Sequence, residues 1–154
     1  MDDAEFRIQP EKVDLHELIN TIVSNKELEL DQQGVELTID LTADNHSVMA
    51  DKLHLSNVIY NLLDNAIKYR KENPAISIST INTEEDLVLT IKDNGIGISE
   101  EHQRHLFKKF FRVPTGNVHN VKGFGLGLHY VKRIIDQHKW QIHVDSRLGV
   151  GTEM

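Results

Sequence analysis

LVLTIKDNGIGIS, Leu87 to Ser99, carries the reading that decides the fold. Leu87, Leu89 and Ile91 alternate along a strand of period two, and the strand ends at Asp93 in one carboxylate followed by Gly95 and Gly97. A carboxylate at a strand end only accepts hydrogen bonds, and glycines let a flat ligand lie against the backbone. Asp-Asn-Gly is equally good hairpin-turn chemistry, so the run DNGIGI alone does not separate a turn from a site. Its neighbours do. NLLDNAIKY (Asn61 to Tyr69) lies upstream and GFGLGL (Gly123 to Leu128) downstream, so polar groups that are costly in a core recur in several blocks of one small chain. Together they read as one site.

Outward from this stretch, Ile76 and Ile78 pair with Leu87, Leu89 and Ile91 across the polar turn Asn82 to Asp86, an antiparallel hairpin. Phe6 to Gln9 reads as a short strand stopped by Pro10. Asp14 is an N-cap for a helix with Leu15, Leu18, Ile19, Ile22 and Val23 on one face, ending near Gly34. Val35 to Leu41 alternates as a half-buried strand, and Val48 to Ala50 is a brief one. Asp51 caps a helix with Leu53, Val58, Ile59, Leu62, Leu63, Ala66 and Ile67 as its apolar positions. A short helix follows Ser99, a loop without period runs from Lys108 to Lys122 and reads as mobile, and Gly127 opens a helix carrying Val131, Ile134 and Ile135. Trp140 to Val144 reads as a strand before a Gly149-Val150-Gly151 turn. This order predicts an α+β two-layer sandwich, a mixed and mainly antiparallel sheet packed on about three helices, its other face wetter.

The chain has 154 residues, enough for one domain, with 39% hydrophobic and 27% charged residues and no bilayer-length apolar run. No signal peptide is visible. Without cysteine there is no disulfide or thiolate chemistry. A formal net charge of -7 argues against general nucleic-acid or anionic-membrane binding, while leaving room for a small phosphate ligand in a local nest of amides and cations.

In NLLDNAIKY, helical spacing puts Asn61, Asn65 and Lys68 on one side, away from Leu62, Leu63 and Ile67. Asparagine is a poor helix-interior residue, and an amide oxygen for a hard cation beside a lysine for phosphate points to a magnesium-phosphate ligand. A solvated helix face reads the same spacing. GFGLGL fits a phosphate cradle or tight packing. It is neither a Walker loop, lacking Lys-Ser or Lys-Thr, nor a Rossmann turn, lacking a preceding strand. The irregular loop before it fits a nucleotide lid.

NLLDNAIKY resembles the N box of sensor histidine kinases, DNGIGI their first glycine box, LFKKFFRV (Leu106 to Val113) their F box and GFGLGL their second glycine box. The blocks stand in the family's order and spacing over nearly the whole chain. The resemblance implies a catalytic ATP-binding domain, 1–154, of the gyrase, heat-shock chaperone, histidine kinase and mismatch-repair superfamily, with ATP or ADP and Mg2+ as ligands. By position, Asn65 would be the magnesium ligand with Asn61 assisting, and Lys68 a phosphate contact. Tyr69 would pack along adenine and Asp93 accept from its exocyclic amine, with Gly95 and Gly97 giving close backbone approach. Arg112 would meet the terminal phosphate, Phe110 and Phe111 anchor the lid or simply pack, and Gly123, Gly125, Leu126 and Gly127 line the phosphates. The implied partners are a histidine-bearing dimerisation hairpin and a response regulator. The domain would be monomeric and cytoplasmic, its parent a homodimer whose membrane anchoring the sequence leaves open.

This chain departs from the family in four places. Lys108 and Lys109 replace an acidic residue and proline in the F box, and His138-Lys139-Trp140 stands where the family has His-Gly-Gly. The end at Gly151-Thr152-Glu153-Met154 reads as a cut fragment, and nothing before Phe6 matches the acceptor hairpin. His16, His54 and His129 read as surface or satisfied histidines, and His102 with His105 lacks a third metal ligand at matching spacing. Related ATPases carry glutamate where Asn61 stands, and an amide is no general base, so hydrolysis should be slow. Serine-kinase anti-sigma factors share such a nucleotide site, and a degenerate module that binds nucleotide or a partner without catalysis is the remaining reading.

Overall fold

A computed structural model of the chain describes residues 7–108 and 127–154. Phe6, Phe110, Phe111, Arg112, Gly123, Gly125, Leu126 and all but the first residue of the expected 108–122 loop lie outside the described residues.

Strand β1 (Glu11–Asp14) runs into helix α1 (Leu15–Gln32), whose N-cap Asp14 accepts from the backbone of His16 and Glu17. The helix stops before Gly34, which takes φ 67°. Strand β2 (Glu36–Leu41) and the short β3 (Ser47–Ala50) follow. Helix α2 (Lys52–Lys68) is capped by Asp51. Strands β4 (Ala75–Asn82) and β5 (Leu87–Asp93) form the expected hairpin, and Ser99 caps the single-turn α3 (Glu100–Gln103). Helix α4 (Gly127–Gln137), β6 (Asp145–Arg147) and β7 (Gly151–Glu153) complete the described chain.

The five-stranded sheet has the order β2-β4-β5-β7-β6, and β1 pairs with β3 in a separate ribbon. Only β2 and β4 are parallel, joined through α2 as a parallel pair requires; the other pairs are antiparallel. Three long helices share one core with the sheet: Ile19 and Ile22 from α1, Ile59 and Leu63 from α2, Val131 and Ile134 from α4, against Ile76, Ile78 and Ile91. This is the predicted sandwich of helices on a mixed sheet. Along β4 the buried residues alternate, Ile76, Ile78 and Thr80 inward, with Ser77 and Ser79 less covered.

Three expectations change. Arg7 to Gln9 form no strand: the first described strand begins after Pro10, and the Gln9 N–H goes instead to Asp51 Oδ2 at 2.9 Å. Leu53 is 68% exposed and Leu55 is buried in its place, because the buried positions Leu55, Val58, Ile59, Leu62 and Leu63 recur at helical spacing and Leu53 falls on the opposite side. Residues 140–144 make no ladder. The strand lies further on, at β6, because Asp145 already pairs with Glu153, and Met154 is engaged with Ile91.

Candidate functional site

Asp93 is the last residue of β5. Its Oδ1 accepts the backbone N–H of Gly95 at 2.8 Å and of Thr152 at 3.3 Å, while no hydrogen bond from a described residue reaches Oδ2. Burial pushes the carboxyl above its ordinary value, and the two backbone donors pull it partway back. One oxygen held and the other unengaged make an oriented acceptor.

The turn after Asp93 folds against two other stretches of backbone. A Cβ on Gly95 would lie 2.4 Å from the Tyr69 carbonyl oxygen, and one on Gly97 would lie 2.1 Å from that of Arg147. Gly97 also takes φ 74°. The close approach at both glycines is therefore chain on chain. Ile96 N–H donates to the Tyr69 carbonyl at 2.9 Å, which joins the turn to the end of α2. Tyr69 is the C-cap of α2 and packs with Ile98 and Leu106 in a small second cluster.

Asn61, Asn65 and Lys68 climb α2 toward Tyr69. Asn61 Nδ2 donates to the Asn57 carbonyl at 2.8 Å, and its Oδ1 would be 3.0 Å from a Cβ on Gly127, the first residue of α4. The glycine thus lets α4 lie directly against Asn61. Asn65 Nδ2 is buried with no hydrogen-bond partner among the described residues. Lys68 is exposed in the last turn. Leu128 packs against both clusters and so links the Asn61 end to the Tyr69 end. Asn61, Asn65, Lys68, Tyr69, Asp93, Gly95, Gly97 and Gly127 are thereby connected; Arg112, Gly123, Gly125 and Leu126 lie outside the described residues.

Sequence reasoning passed over Thr152, read only as part of a chain end. It sits opposite Asp93 in the β5–β7 register. Its partner Asp93 is remote in the chain, so no local pattern marked it: β7 enters the sheet between β5 and β6 and brings Thr152 beside the carboxylate.

A carboxylate acceptor at a strand end, two amides along one helix and a glycine of a second helix set against the first of them thus stand in one two-layer domain. The chain belongs to the family described as histidine kinase-, DNA gyrase B- and HSP90-like ATPase, whose model matches residues 50–154. It is 43% identical over 154 residues to the sensor protein RprX of Bacteroides fragilis (strain YCH46), covering 99% of this chain and 30% of that protein. It is 33% identical over 149 residues to the adaptive-response sensory kinase SasA of Prochlorococcus marinus (strain AS9601), covering 96% of this chain and 40% of the relative. The chain thus spans well under half the length of these relatives. Among solved structures, a catalytic domain of histidine kinase ThkA matches with a TM-score of 0.80 at 26% identity, over 95% of this chain and 92% of that one. The Acinetobacter baumannii histidine kinase AdeS matches with a TM-score of 0.77 at 27% identity, over 98% of this chain and 68% of that one. Among the described residues no helix is long and apolar enough to cross a membrane.

Proposed function

We propose that residues 1–154 form one catalytic domain that binds Mg-ATP and transfers the terminal phosphoryl group to a histidine on a separate dimerisation hairpin of a sensor kinase. The phosphoryl group then passes to a response regulator. The domain is monomeric, in the cytoplasmic part of a homodimeric parent.

The observation that carries this reading is the Asp93 carboxylate, with Oδ1 engaged by Gly95 and Thr152 and Oδ2 unengaged among the described residues. An acceptor of this kind suits the exocyclic amine of adenine and repels the carbonyl oxygen that guanine presents there. Tyr69 packs along the base. Asn65, with Asn61 assisting, fits a hard cation through its amide oxygen, a hard ligand atom, while its Nδ2 is left to donate elsewhere. Bound there, magnesium supplies charge neutralisation at the phosphates. Lys68 and Arg112 add cationic contacts, and the amides of Gly123, Gly125, Leu126 and Gly127 cradle the anion.

Phosphoryl transfer depends mainly on positioning and charge stabilisation. The Asn61 amide, already donating to the Asn57 carbonyl, is no base for water, which favours transfer over hydrolysis. Radiolabelled ATP with and without a cognate two-helix hairpin tests the reading. The expected result is phosphohistidine on the hairpin only, with barely measurable hydrolysis. Stable histidine phosphate on this chain alone, or brisk hydrolysis that Asn61→Ala abolishes, overturns it.

A further inference from the structure

Asp93, Thr152 and Ser146 stand in one row across three neighbouring strands: Asp93 pairs with Thr152, and Thr152 with Ser146. Directly opposed residues of antiparallel strands project from the same face, so the three side chains form a continuous band. Ser146 Oγ is its busiest atom. It accepts the Ile98 N–H at 2.8 Å, donates to the Gly151 carbonyl at 3.0 Å and lies 2.7 Å from Thr152 Oγ1. A serine hydroxyl has a single proton, and a carbonyl can only accept. With that proton on Gly151, the Thr152 hydroxyl donates to Ser146, an assignment that follows from the network.

The turn that follows β5 is therefore tied at both ends to one row. Gly95 N–H is held by Asp93 at the start, and Ile98 N–H by Ser146 at the finish. Gln103 fastens the second tie: its Nε2 donates to the Ile98 carbonyl at 2.7 Å and to the Ser146 carbonyl at 3.0 Å. Midway, Gly149 N–H donates to the Ile96 carbonyl at 2.7 Å. Thr152 is common to both halves, since its N–H reaches Asp93 Oδ1 and its hydroxyl reaches Ser146.

We infer that Ser146, braced by Gln103, is a positioning residue for base recognition: through Thr152 and Ile98 it fixes the direction in which the Asp93 carboxylate faces. The inference rests on the reading of Asp93 as the acceptor for the adenine amine. Ser146 itself needs no contact with nucleotide. Removing its hydroxyl leaves the Ile98 N–H and the Thr152 hydroxyl without their shared partner, in a part-buried place where a lost hydrogen bond is felt. The turn end and β7 then move independently, and the carboxylate loses its fixed direction. What suffers is the reading of the amine, more than the affinity common to all purine nucleotides.

The discriminating probe is a pair of ligands that differ only at that amine: ADP and the diphosphate of unsubstituted purine riboside. Both are titrated calorimetrically into the chain and its variants, with thermal unfolding recorded for each. The native chain should prefer ADP by about tenfold or more, as a site built around a hydrogen-bonded group does. In Ser146→Ala the preference should fall to within about threefold of unity, with cooperative unfolding retained and Ser146→Thr restoring it. Gln103→Leu should lower the preference in the same direction, and it decides the matter if Ser146→Ala does not fold. A variant preference equal to the native one, whether both affinities hold or fall together, overturns the inference and leaves the Asp93 reading standing. A native preference near one overturns the Asp93 reading, and this inference with it.

Discussion

The imidazoles of His16 and His46 stack with 3.9 Å between ring centroids and 10° between planes. His46 Nδ1 also meets Asp14 Oδ1 at 2.6 Å, and His16 Nε2 meets Thr80 Oγ1 at 2.7 Å, so the pair ties the start of α1 to β4 and to the loop before β3. Burial, then the neighbouring His46 charge, holds His16 below its ordinary value near 6.5, against the attraction of Asp14. The unfolded chain therefore takes up this proton first. Stability from His16 is complete above the ordinary value and declines as pH falls through it toward the lowered one. Asp14, lowered chiefly by its bond to His46, acts in a separate window: its contribution is present above the ordinary carboxylate value and lost only in stronger acid.

The unfolding midpoint should thus drop between about pH 7 and pH 5, and drop less in His16→Gln. Parallel pH profiles for the two proteins would show that the stack carries no proton linkage.

A second prediction concerns the end of α4. Lys139 takes φ 60°, the left-handed conformation that glycine adopts freely, at the position where the resemblance places a glycine. Its flanks are committed elsewhere: His138 Nδ1 meets the Ile134 carbonyl at 2.8 Å, its Nε2 accepts the Asp51 N–H at 3.0 Å, and its ring stacks on Trp140 at 4.2 Å. The neighbours thus hold the turn against the preference of the lysine. Lys139→Gly should stabilise the domain by about 1 kcal/mol, less the entropy that glycine adds to the unfolded chain. Thermal unfolding should show a rise of up to about 2–4 °C; a fall would mean that the lysine side chain contributes more than its backbone strain costs.

The metal assignment is tested by Asn65→Ala. The substitution removes a side chain whose buried Nδ2 has no partner among the described residues, so the fold should lose little. ATP affinity should weaken by about tenfold with magnesium present and change little in its absence. Equal loss under both conditions would move the role of Asn65 from cation to packing.

How much of this was legible in the sequence depends on the range of the interaction. Asp14 and Asp51 could be read as N-caps because a cap bonds within its own turn, and the β4–β5 hairpin because its partners are adjacent in the chain. Asn61 and Asn65 were visible from helical spacing. Gly95 and Gly97 were visible as glycines, but what they approach, the carbonyls of Tyr69 and Arg147, is set by segments remote in sequence. The Ser146 and Gln103 ties were invisible for the same reason. Local pattern also misled at Leu53, where an apolar residue in the first turn of α2 faces away from the core.

The last prediction sets stability against recognition at Asp93. Burial raises its carboxyl above the ordinary 3.8, so the folded chain keeps this proton longer than the unfolded one. Its contribution to stability is then complete below the ordinary value and lost as pH rises through the raised one, which leaves a buried charge that opposes folding at neutral pH. Asp93→Asn keeps an Oδ1 to accept from Gly95 and Thr152 and removes the charge. The variant should unfold at a higher temperature than the native domain at pH 7, an advantage that shrinks as pH falls toward 4. Yet it puts an amide N–H₂ where the second carboxylate oxygen stood, and a donor there faces the adenine amine. ADP affinity should fall by about tenfold or more, the cost of two opposed donors in a part-buried site. Thermal unfolding across pH, paired with ADP titration, measures both sides. A variant that is less stable at pH 7, or that binds ADP as the native domain does, would remove Asp93 from the centre of the site.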